Sequence, residues 1–210
     1  MAARSNSACW WAVDRNVRAR VNVDRVKMRR ISSIPLMLSI AILAFAYLIA
    51  AKFGLKLALV NQYATAVWPP TGIALAALLL WGTRLWPGVL IGAIVANVTT
   101  GDSITINGAF ASIGIAVGNT LEAVLGAHLI RHFAGGRRAF DRAQDVFRFA
   151  ALAALISTMV SATMGVTCLW LAGLAKGTDI PAIWVTWWIG DAGGDLIFAP
   201  MLILWAVDWR

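Results

Sequence analysis

Charge is what this sequence has least of. Only 13% of its 210 residues are charged, while 60% are hydrophobic; soluble domains sit near a quarter and a half. A water-exposed fold cannot bury that much apolar surface, so the bilayer is the expected solvent. Cysteine is scarce as well. Cys9 and Cys168 are too few and too far apart for a disulfide framework or a zinc cluster. Cys168 lies in an apolar run and reads as a small packing residue. No apolar segment precedes the basic N-terminal run, which excludes a cleaved signal peptide. No Gly/Ser or Pro-rich linker divides the chain. There is no phosphate-binding glycine loop, no nucleophile triad and no cyclase or kinase motif. The chain is therefore not expected to be an enzyme, and its residues point to no cofactor. His128 and His132 have the i, i+4 spacing that holds a metal on a helix. They stand beside Arg131 with no Cys or further His near, so a solvated pair is expected rather than a metal or haem site.

What is there in quantity is long apolar sequence. Six stretches read as spans: 34–51, 66–81, 85–98, 106–133, 146–171 and 183–207. The second and third fall short of the roughly 20 residues that a crossing needs. The expected fold class is an all-α membrane protein of about six transmembrane helices. The formal net charge of +8 is a topology signal. With a cytoplasmic N-terminus, all basic residues except Lys52, Lys56 and Lys176 fall on the inner side. By the positive-inside rule both termini are cytoplasmic. Nucleic acid is not an expected partner. Residues 1–30 form a basic cytoplasmic tail, and 31–210 a polytopic membrane domain. Val13, Val17 and Val21 permit a helix lying on the inner leaflet within that tail, and Met28 offers a second compact start.

Between the first two spans, "NQYATAVWPPTG" is not a simple loop. Pro69 and Pro70 lack backbone donors, and Pro70 disfavours helical geometry at Pro69. The expectation is an interfacial or re-entrant stretch, a break at Trp68-Pro69-Pro70, and a helix from about Thr71. Irregular backbone at membrane depth survives only inside protein or against a wet cavity. Three acids lie well inside spans: Glu122, Asp191 and Asp195. Each costs roughly 2.5–3.5 kcal/mol near the bilayer centre on insertion scales. Asp191 and Asp195 share a helix face, which Trp184 and Trp188 extend, and Gly190, Gly193 and Gly194 let a neighbour come close. Glu122 shares a face with Gly114, Gly118 and Gly126, and Asn119 lies three residues before it. Two readings stand side by side: polar groups that bond across helices and hold the bundle, or a ligand or proton site. In the inner loop, Gly135-Gly136 should end the fourth helix and Asp141 with Asp145 cap the fifth.

The segments "VWPPTGIALAALLLWGTRLWPGVLIGAIVANV", "GNTLEAVLGAHLIRHF" and "WWIGDAGGDLIFAPMLILW" together resemble the bacterial membrane-associated sensor domain of the first MASE type, from about residue 55 to 205. The resemblance implies an integral inner-membrane input module, usually fused to diguanylate cyclase, phosphodiesterase or histidine kinase domains. It marks Trp68, Pro69, Pro70, Asn119, Glu122, Trp188, Gly190 and Asp191 as characteristic positions, and it supplies no ligand. The candidate site is these residues, without Gly190 and with Asp195. Family members continue into a cytoplasmic output domain, whereas this sequence stops at "AVDWR". The expected partners are the lipid bilayer and either other membrane chains or an output domain. Alternatives are an accessory subunit packed on a larger membrane complex and a small-solute binding or transport protein.

Overall fold

The computed structural model describes residues 35–55, 67–100 and 105–208. The basic tail of residues 1–30, with its candidate surface helix, and the stretch 56–66 that precedes the break lie outside these residues. The chain divides into two compact units, Met1–Leu38 and Ser39–Arg210. The described part of the first is the opening of one helix, and the architecture below is that of the second.

Every regular element among the described residues is helical. The chain runs through α1 (Leu36–Leu55), α2 (Pro69–Trp81), α3 (Trp86–Val98), α4 (Ile106–Phe133), α5 (Ala143–Leu171) and α6 (Ile180–Asp208). These match the six apolar stretches of the sequence to within a few residues. Four of them, α1, α4, α5 and α6, are long and apolar enough to cross a membrane. The protein is multi-pass, and the outward side of α1 (Ile42, Phe45, Ile49, Phe53) is an exposed apolar face for lipid.

Helix α2 differs from a simple crossing. Its 13 residues reach about 20 Å at the α-helical rise, against a hydrocarbon core of about 30 Å. It begins at Pro69, two residues before the start expected from the sequence. The first turn of a helix makes no use of its own N–H groups, so Pro69 and Pro70 fit there at no hydrogen-bonding cost. Trp68, at φ −114° and ψ 87°, is the non-helical residue that makes the break. A tight turn with Gly82 at φ 110° reverses the chain into a short 3-10 segment, Thr83–Leu85, and α3.

At one end of the bundle Lys52 of α1 donates to the Thr99 carbonyl (2.8 Å) and the Thr100 hydroxyl (3.1 Å), capping the C-terminus of α3. At the other end Arg131 donates to the Leu78 carbonyl, and Arg137 to that of Leu79 (3.1 Å), at the C-terminus of α2. The loop between α4 and α5 turns at Gly135 and Gly136, both at positive φ, as expected. The expected acidic cap of α5 does not form. Arg142 occupies the N-cap with no side-chain bond, and Asp145 sits in the first turn and pairs with Arg148 at 3.3 Å. Residues 150–157 of α5 follow π-helical geometry.

Two apolar cores result. The larger joins Leu43 and Tyr47 of α1, Leu75 and Leu78 of α2, Val89 of α3 and Ile130 of α4. The smaller joins Ile115 of α4, Val166 and Leu169 of α5, and Ile183 and Trp187 of α6.

Candidate functional site

The break is pinned against the last helix by its backbone. The Trp68 N–H donates to the Gly190 carbonyl at 2.8 Å. Gly190 lies ten residues into the 29 of α6, about 15 Å along its axis. The Trp68 carbonyl lies over Gly194, where a Cβ would overlap it, and a Cβ on Gly72 would strike the Gly194 carbonyl. α2 and α6 thus touch backbone to backbone across a reciprocal glycine pair. The Trp68 ring packs on Gly54 of α1, and its indole neighbours the Tyr47 hydroxyl. Irregular backbone at this depth is tolerated because protein encloses it on both sides.

This contact sets the first turn of α2 beside the acidic face of α6. Thr71 donates its hydroxyl hydrogen to Asp191 Oδ1 at 2.9 Å. From α4, Glu122 is buried beside Asp191 and lies close enough to Asp195 to feel its charge. All three carboxyls are 1% exposed. One oxygen of each, Glu122 Oε1, Asp191 Oδ2 and Asp195 Oδ1, receives no hydrogen bond among the described residues.

A chain of neutral polar groups runs alongside. Asn119 Nδ2 donates to the Tyr47 hydroxyl at 2.9 Å, the Ser161 hydroxyl donates to Asn119 Oδ1 at 2.8 Å, and Trp187 Nε1 donates to Ser161 Oγ at 3.2 Å. The chain therefore links α1, α4, α5 and α6 and bridges the two apolar cores. Ser161 also neighbours Glu122 and Asp191, which sets this chain beside the carboxyl group.

Of the residues singled out from the sequence, Trp68, Pro70, Asn119, Glu122, Asp191 and Asp195 are brought together, with Pro69 half-buried at the rim. Trp188 goes elsewhere. Its indole donates to the Leu155 carbonyl in the π-helical part of α5, and its ring stacks on Trp184 at 5.8 Å. The inward tryptophan is Trp187. Positions 187 and 188 are both within one helical turn of Asp191, and the side on which α5 lies decides between them. Sequence reasoning also missed Tyr47, Thr71 and Ser161. Hydroxyls in spans bond their own helix so readily, as Thr120 does to Ala116, that type alone does not mark the ones that cross between helices. The glycines on the face of Glu122 pack against α5: Gly114 on Cys168, Gly118 on Met164 and Gly126 on Ser157.

The histidine pair sits outside this cluster, with a ring nitrogen of His132 at 2.9 Å from the His128 carbonyl. No group of three His, Cys, Asp or Glu among the described residues has the arrangement of a metal site. A family model, MASE1, matches residues 37–210. No curated protein and no solved structure matches the chain.

Proposed function

Because the chain belongs to the MASE1 family, and so is a membrane-associated sensory domain, we propose that it is the input unit of a bacterial signalling system, with the carboxyl cluster as its responsive element. In this reading both ends of the membrane domain face the cytoplasm of an inner-membrane protein, in line with the distribution of basic residues. The output chemistry belongs to a cytoplasmic domain or partner chain, and this chain changes conformation rather than catalysing. The observation that carries the reading is the meeting of Glu122 and Asp191 beside Thr71. Three elements converge there on a buried polar group, and one of them, α2, ends at the arginine-rich inner loop. Buried ionisable groups inside a membrane domain are costly, and they mark functional sites by default.

The test uses an in-frame fusion to a cyclase or kinase output. Asp191→Asn keeps an acceptor for Thr71 and nearly the same shape. It should preserve expression and thermal stability while changing output at least several-fold, whereas Val185→Ala on the exposed face changes nothing. Unaltered output from Asp191→Asn and Glu122→Gln fusions would reduce the cluster to a structural staple. Solute flux in proteoliposomes, abolished by the same substitutions, would favour transport.

A further inference from the structure

The carboxyl group at the centre of the bundle has a chemical gap that names its ligand. Ionised carboxylates only accept hydrogen bonds, yet Glu122 of α4 and Asp191 of α6, each 1% exposed, are buried as neighbours. Two buried carboxyls stand as neighbours without repulsion when one of them carries a hydrogen. Independently, Asp195 is 1% exposed, is close to both, and its Oδ1 has no donor among the described residues. Glu122 Oε1 and Asp191 Oδ2 are orphaned in the same way. Buried polar atoms are otherwise almost always satisfied, so three orphans in one place call for a missing donor.

Among the described residues no protein cation serves as that donor. α1 presents Tyr47, α2 presents Thr71, α5 presents Ser161, and α6 presents Trp187 beside its two aspartates. α3 carries no ionisable side chain between Trp86 and Val98. The nearest basic groups of these elements are engaged at the two ends of the bundle, Lys52 on α3 and Arg131 on the end of α2. The arrangement also lacks the geometry of a metal site.

We infer that Glu122 and Asp191 form a proton-binding pair, with Asp195 as the third carboxyl that sets its charge, and that the ligand of this domain is the hydrogen ion. A hydronium ion gives its proton to one carboxylate and leaves as water, and the other carboxylate accepts a hydrogen bond from the resulting O–H. The inference deepens the sensory reading above and rests on it for its biological meaning. Proton occupancy would govern how the first turn of α2, through Thr71, sits on α6.

The experiment follows the carboxyl C=O band by infrared difference spectroscopy during a pH titration of the whole purified protein in nanodiscs. Wild-type protein should show a protonated-carboxyl band that titrates with pH and shifts in D2O. Glu122→Gln and Asp191→Asn should each abolish it, and Asp195→Asn should move its midpoint. Helical circular dichroism and thermal melting confirm that each variant is folded, and wild-type protein alone decides the first point if one is not. A band absent from wild type, or one unchanged in folded Glu122→Gln and Asp191→Asn, overturns the inference. So does a band displaced by sodium or potassium at constant pH, which would make the ligand a metal cation. Failure of the sensory reading is separable. A titrating band with unaltered fusion output would leave the proton site standing and remove its signalling role.

Discussion

At the scale of single residues, the smallest side chain does the most specific work. Gly194 is required because the Trp68 carbonyl occupies the space a Cβ would take, and a main-chain atom fixed by the Trp68–Gly190 hydrogen bond cannot move aside. Gly72 faces the same interface from the other side. Gly177, in the turn before α6, has nothing within 4 Å of its potential Cβ. Gly194→Ala should therefore lower the melting temperature in detergent by an amount consistent with about 1–3 kcal/mol of overpacking, while Gly177→Ala leaves it unchanged. A Gly194→Ala protein as stable as wild type would mean that α2 and α6 are not in backbone contact. Asn119 works differently, by donating to Tyr47 and accepting from Ser161, so one amide orders three helices. The sequence marked Asn119 and the glycines because polar and very small residues are rare choices against lipid. Their partners were not legible, because a span offers many hydroxyls of equal local plausibility.

At the scale of elements, α2 is held at both ends by groups foreign to it. Its N-terminus is stapled to mid-α6 through Trp68 and Thr71, and its last carbonyls accept from Arg131 and Arg137. A 13-residue helix has little stability of its own and depends on such tertiary contacts. Replacing Arg131 and Arg137 together with alanine should free that end. The Gly82 amide, which bonds to the Leu78 carbonyl, should then exchange with deuterium at least several-fold faster. Amides in the middle of α4 should be unaffected. Unchanged exchange at Gly82 would show that the arginines are ornamental to α2. The sequence placed the break at Trp68 but set the start of α2 two residues late, because prolines in a first turn cost no hydrogen bond and belong to the helix. The π-helical register at 150–157 of α5 left no comparable sign. It lies where α5 packs against α4 and α6, and within it the Leu155 carbonyl accepts from Trp188.

At the scale of the whole molecule, the ends of the elements fall into two sets. The C-termini of α1 and α3 meet through Lys52, and those of α2 and α4 through Arg131. The arginine-rich turn 136–138 and the lysine-bearing turn before α6 therefore belong to opposite sides of the membrane unit. Reporter fusions after residues 138 and 178 should read cytoplasmic and periplasmic respectively. A periplasmic signal at 138 would invert the orientation and place the arginines of the inner loop outside.

The sequence by itself determined that this is a helical membrane protein, where its helices lie, and which three acids need a reason. Those follow from composition and from the cost of charge in hydrocarbon, which depend on no neighbour. Tertiary structure alone decided that the start of α2 is pinned to Gly190 of α6, that Trp187 rather than Trp188 turns inward, and that Glu122 meets Asp191. Each of these depends on which helix lies against which. Helical periodicity gives a face only to within a turn, and the glycine-mediated contacts that select the neighbour join residues more than a hundred positions apart.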